Sequence, residues 1–161
     1  MTYQEIIDHL HGFANPEIAK HSQRFLKTAE GEYGFGDKFL GIRVPVIRQA
    51  VKKFKAASLS TIEKLLKSDY HEVRLHALLL LVFRFSKPSS SEQDEIYYLY
   101  LRNIQYVNNW DLVDSSAQHI IGAYLENRDR IVLYDLSKSD SLWERRIAIM
   151  STFYFIRKHQ L

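Results

Sequence analysis

Apolar residues recur along this 161-residue chain at helical spacing, and strand-type alternation hardly appears. Ile96, Leu99, Tyr100 and Ile104 mark one such face. Thr2-x-x-Glu5 is a capping box that predicts a first helix. Asn15-Pro16-Glu17 reads as an N-cap, a first-turn proline and a first-turn acid, opening a second. Pro45 predicts a third helix running through Lys55, and Ser60-x-x-Glu63 and Ser90-x-x-Gln93 predict two further capped starts. Asn108 or Asn109 is an N-cap that puts Asp111 in a first turn, where the helix dipole favours a carboxylate. The pattern predicts about nine short helices, an ordinary length for this many residues. Glu30 to Gly41 holds four of the six glycines and reads as a flexible connector, and Lys87 to Ser91 as a plain loop. Gly34-x-Gly36 does not complete a G-x-G-x-x-G and follows no strand, which rejects a dinucleotide site.

An internal repeat lies within this helical pattern. Lys67-Ser68-Asp69 recurs as Lys138-Ser139-Asp140, and Arg74-x-x-Ala77 recurs as Arg145-x-x-Ala148, both at an offset of 71 residues. Asp114-x-x-Ala117 falls between them, 40 residues after Arg74 and 31 before Arg145. These spacings approach a helix-pair repeat length, and stacked helix pairs form a solenoid with a concave face. The expectation is an all-α fold: HEAT-like helix-pair repeats stacked into a curved α-solenoid, one domain over residues 1–161.

Composition narrows the chemistry. Apolar residues make up 46% of the chain, enough for a globular core. There is no cysteine, which excludes disulfides, thiolate metal sites and a thiol nucleophile. The longest apolar run, Ala77 to Phe83, is too short for a membrane span, and residues 1–14 lack the features of a signal peptide. No membrane partner and a cytoplasmic location are expected. No H-E-x-x-H occurs, and His71 and His76 are five apart, so neither a metal nor another cofactor is expected. The net charge of +3 and pI near 9.0 permit a polyanionic partner without requiring one.

Asp114 reverses the sign found at the repeated position, where the other copies carry Arg74 and Arg145. A salt bridge to the arginine of an adjacent repeat is one explanation; a functional carboxylate is the other. Trp110 lies one helical turn before Asp114, on the same face, as core packing or as an aromatic surface. Arg145 and Arg146 are adjacent on a helix, so one can serve packing while the other points elsewhere. Arg43, Arg48, Lys52, Lys53 and Lys55 cluster around the third helix, either as a solvated face or for phosphate contact. Ser115 and His119 have no oxyanion donors around them and do not make a nucleophile elbow.

Gly41-Ile42-Arg43-Val44-Pro45 with Arg48, Asn109-Trp110-Asp111-Leu112-Val113-Asp114, and Leu142-Trp143-Glu144-Arg145-Arg146 together resemble the AlkD-like DNA alkylation repair family. Asn15-Pro16-Glu17 with Phe25 matches an earlier family segment, so the resemblance runs from about residue 5 to the end. It implies a HEAT-like fold and a DNA glycosylase, a hydrolase that excises cationic N3- and N7-alkylated purines from double-stranded DNA. By position, Asp114 matches the catalytic aspartate, Trp110 the tryptophan beside it and Arg146 the active-site arginine. Phe25 matches an aromatic position that can be tyrosine, here without the hydroxyl. Arg43, Arg48 and Lys52 are the expected phosphate contacts. Relatives continue through further helix pairs that supply another tryptophan with no counterpart here. A C-terminally truncated chain, with self-association through its exposed last helix, is therefore expected. Two alternatives are a non-catalytic DNA-binding relative and a HEAT-type protein-interaction scaffold.

Overall fold

The computed structural model describes residues 1–87 and 89–159, and not the side chain of His159. Among the described residues the protein is all-helical, with nine α-helices: α1 (Tyr3–His11), α2 (Pro16–Phe25), α3 (Val44–Lys53), α4 (Leu59–Leu66), α5 (His71–Phe85), α6 (Ser90–Arg102), α7 (Trp110–Asp114), α8 (Ile131–Ser137) and α9 (Leu142–His159). A 3₁₀ turn covers Ile104–Tyr106 and a π-helical turn covers Gln118–Gly122. The chain forms two compact units, Met1–Leu80 and Leu81–Leu161. No described helix is long and apolar enough to cross a membrane.

Local sequence accounts for most helix starts. Thr2 and Glu5 form the reciprocal capping box, and the Asn15 side chain accepts from Glu17 N and Ile18 N, satisfying amides that the helix itself leaves open. Two caps differ from expectation. Ser58, not Ser60, caps α4, accepting from Thr61 N at 3.1 Å, because a turn closing on Ala57 ends just before it. Ser90 and Gln93 make no box. Ser89 is the N-cap of α6, and Gln93 Nε2 donates to the Phe85 carbonyl at 2.9 Å, closing the end of α5 instead. Helix α3 stops at Lys53, before the expected Lys55, where Phe54 turns into the core. Pro88, within the loop expected over Lys87 to Ser91, lies outside the described residues, as do Gln160 and Leu161.

The repeat is visible in hydrogen bonds. Arg74 donates to the carbonyls of Ser68 and Asp69 at 3.0 and 3.1 Å. Arg145, 71 residues on, donates to the carbonyls of Ser139 and Asp140 at 2.8 and 3.0 Å. Ser68 Oγ accepts from Tyr70 N as Ser139 Oγ accepts from Ser141 N. Each arginine thus reaches back from the second helix of a pair, α4–α5 or α8–α9, and ties down the turn between its helices. The copies differ in surroundings. In α5, Val73, Leu75, Ala77, Leu78, Leu79, Leu80 and Leu81 are all buried, as expected for a helix apolar on every side. In α9, Ile149 and Ile156 are exposed.

The stretch expected as a flexible connector is a run of hydrogen-bonded turns followed by a fixed path. Residues 29–36 form consecutive turns, but residues 37–42 are fixed by buried polar groups on α5, which a count of glycines does not foresee.

Candidate nucleic-acid interface

In the second unit, Asn109 caps α7 by accepting from Trp110 N at 2.8 Å, and Asp111 sits in the first turn, accepting from Leu112 N. Leu112 and Val113 point into the core, which leaves Trp110 and Asp114 half-buried, one turn apart on the outer side. Helix α7 is five residues long, and the chain passes from it into the π-helical turn. Gly122 in that turn lies hard against α9: a Cβ there would stand 2.3 Å from the Ser151 carbonyl oxygen. This close approach fixes α9 beside α7, and Arg146 comes with it.

Asp114 and Arg146 meet in a two-pronged ion pair. Nε donates to Oδ1 at 2.8 Å and an η-nitrogen donates to Oδ2 at 2.7 Å. Such fork-on-fork geometry fixes the plane of the carboxylate as well as its position. The side chains stay 27% and 40% exposed, so the charged pair is open to solvent. The adjacent arginines divide as their 100° separation allows: Arg145 serves the turn before α9, and Arg146 serves Asp114. The sign reversal at the repeated position thereby acquires a physical reason. A carboxylate cannot donate to turn carbonyls as Arg74 and Arg145 do; it faces a neighbouring cation instead.

In the first unit, the other sequence candidates sit at the surface. Phe25, the last residue of α2, is 61% exposed, with its ring parallel to that of His21 at a centroid distance of 6.5 Å. Arg43 is the N-cap of α3 and exposed; Arg48 and Lys52 are exposed one turn apart on the helix. Lys53 turns aside, with Nζ 3.1 Å from His9 Nδ1.

Sequence reasoning missed a buried polar cluster at the start of α5. Asp37 accepts from Arg74 at 2.8 Å and lies 2.5 Å from His71 Nδ1. Burial pushes the Asp37 pKa up, but the His71 hydrogen bond and the charges of His71 and Arg74 outweigh it and hold the carboxyl below its usual value. Glu72 is also buried and accepts from three consecutive amides, Leu40 at 2.9 Å, Gly41 at 2.7 Å and Ile42 at 3.1 Å. Gly41 takes φ +82°, and a Cβ on it would stand 1.9 Å from the Asn15 carbonyl oxygen. The segment before Arg43 is therefore clamped between the cap of α2 and the first turn of α5. Partners 30 or more positions away leave no local pattern.

Among the described residues no group of three or more acidic, histidine or cysteine side chains is arranged to hold a metal ion. Ser115 Oγ turns to the Leu112 carbonyl, and His119 is exposed. The family model described as DNA alkylation repair enzyme matches residues 6–161. No curated protein and no solved structure matches the chain.

Proposed function

Given that this chain belongs to the DNA alkylation repair enzyme family, we propose that it is a DNA glycosylase that releases cationic N3- and N7-alkylated purines from double-stranded DNA. The observation that carries the proposal is the carboxylate of Asp114, oriented by Arg146 yet open to solvent. Most glycosidases need one group to protonate the leaving group and a second carboxylate opposite. An N3- or N7-alkylated purine is already cationic. When its glycosidic bond breaks, the bonding electrons neutralise the base, and no general acid is required. The sugar carries the positive charge in the transition state. A fixed carboxylate stabilises that charge and accepts a proton from the water that adds at C1′. The products are a neutral base, an abasic sugar and a proton.

Trp110 offers an aromatic face one turn from the carboxylate, suited to a cationic nucleotide. Arg146 sets the plane of Asp114 through its two hydrogen bonds. Arg43, Arg48 and Lys52 are exposed cations suited to backbone phosphates, and Phe25 keeps a stacking surface without the hydroxyl. The stacking of helix pairs into a HEAT-like solenoid belongs to the same proposal and is supported by the repeated arginine hydrogen bonds. So does a cytoplasmic, nucleoid-associated location.

The test is release of 7-methylguanine from methylated duplex DNA by the wild type and by Asp114→Asn. Loss of about 100-fold or more in the variant is expected, the scale of losing a preorganised charge in an active site. No release by the wild type, with salt-sensitive DNA binding retained, would instead establish a non-catalytic DNA-binding protein. That second reading draws on the neutralisation of Asp114 by Arg146. A protein that does not bind DNA at low salt would be left with the scaffold reading.

Self-association through α9 is part of the proposal. Ile149 and Ile156 are 62% and 48% exposed, whereas their repeat equivalents in α5, Leu78 and Phe85, are buried. A second copy presenting the same stripe is the proposed occupant, and a monodisperse monomer by light scattering would overturn it.

A further inference from the structure

The segment between α2 and α3 carries an aromatic residue that the proposed site does not use. Lys27 adopts φ +56°, and its carbonyl accepts from Gly34 N at 2.8 Å, closing a loop. Two turns follow, with Phe35 N donating to Glu32 O at 3.2 Å and Asp37 N to Gly34 O at 3.1 Å. Gly36 has φ +85° and open space where a Cβ would stand, so glycine is required there by backbone conformation and not by crowding. These turns hold Phe35 outward, 67% exposed. Phe39, four residues on, is buried and stacked on His71, with centroids 4.8 Å apart. One short segment thus places one phenylalanine in the core and presents the other to solvent.

Both ends of the segment are anchored. The Lys27–Gly34 hydrogen bond closes the first. Asp37 on His71 and Arg74, and Glu72 on the amides of residues 40–42, hold the second. Arg43 emerges immediately after the clamp; Lys27, Lys38 and Arg43 are exposed, as are Glu30 and Glu32, and Lys38 Nζ lies 3.8 Å from Asp69. A ring held in water loses the favourable burial open to any apolar surface, and the exposed Phe35 face followed by the exposed Arg43 offers a stacking surface and a phosphate contact to the DNA on which this family acts.

We propose that residues 27–43 form a prebuilt DNA-contact element. The Phe35 ring stacks on a base, Arg43 takes a phosphate, and Glu72 is the positioning residue that holds the backbone leading into Arg43. The inference rests on the DNA-repair reading and extends it to a surface outside the Asp114 pair. Stacking of this kind changes affinity by about 5- to 100-fold for each base.

The experiment uses the full chain and a fluorescent duplex carrying a tetrahydrofuran abasic analogue, with affinity measured across a salt series. Phe35→Ala is expected to weaken binding by about 5- to 100-fold with an unchanged salt slope and thermal midpoint, and Phe35→Trp to retain it. Arg43→Ala is expected to lower the salt slope by about one. Glu72→Gln, alone and combined with Arg43→Ala, tests positioning: the double variant should lose less affinity than the two single losses combined. Additive losses would make Glu72 merely structural and remove it from the proposal. A Phe35→Ala protein that binds like the wild type, in a wild type that does bind and release base, would overturn this inference and leave the proposed function standing. A wild type that neither binds nor releases would overturn both.

Discussion

At the start of α5, Asp37 lies between His71 and Arg74 with all three side chains 5% exposed or less, whereas beside α7, Asp114 meets Arg146 with 27% and 40% exposure. Both are aspartates bonded to arginine at similar distances, and surroundings separate them. Inside the protein an unpaired charge is costly, so each member of the Asp37 cluster requires the others, and the cluster fixes the chain around it. At the surface, water screens the pair. Asp114 contributes little to holding the fold and keeps its charge accessible to a ligand. A buried ion cluster positions backbone; an open one is available for chemistry.

The same substitution at the two sites tests this contrast most directly. Asp37→Ala is expected to cost about 3–5 kcal/mol in urea unfolding, because it leaves buried cations unpaired. Asp114→Ala is expected to cost about 1 kcal/mol or less, while abolishing most base release. Equal stability losses would break the comparison.

Acid separates the regions next. His76 is fully buried, and neither ring nitrogen has a hydrogen-bond partner among the described residues. Burial, reinforced by the charge of His9, pushes its pKa from 6.5 down to about 4. The unfolded chain then binds this proton more readily than the folded one. His76 therefore contributes full stability above about pH 6.5, and that contribution falls by roughly 3 kcal/mol as pH drops to about 4. Asp37, with its pKa held low, contributes stability that is lost only as pH falls below its ordinary value of 3.8. Urea unfolding followed against pH should show the first loss disappear in His76→Leu.

Gly122→Ala sharpens the second region alone. Its methyl group would meet the Ser151 carbonyl, which should cost roughly 1–3 kcal/mol and displace α9 from α7. Base release should fall further than the stability loss explains, since Arg146 moves with α9. Unchanged release in a folded variant would show that the Asp114–Arg146 geometry tolerates the shift.

Much of this protein is written in short-range pattern. Helical periodicity, the Thr2 box and the Asn15 and Asn109 caps are decided within a few residues, so the all-helical class and several helix starts follow from the chain alone. The repeat is equally legible, because Arg74 and Arg145 perform one local task, tying their own turns. Asp114 could be singled out as the exception to that repeat, but its partner could not be read from pattern. Competing serines at 58, 60, 89 and 90 misplaced two caps, since more than one could start each helix. Tertiary structure alone decided that Arg146 and not Arg145 turns to Asp114, that Asp37 and Glu72 clamp a glycine-rich stretch into a fixed path, and that Phe35 faces water while Phe39 is buried. The pairing of Arg146 with Asp114, the clamp of Asp37 and Glu72 and the burial of Phe39 against His71 depend on groups distant in sequence, whose energy comes from mutual burial and charge, and such interactions exist only once the chain has folded.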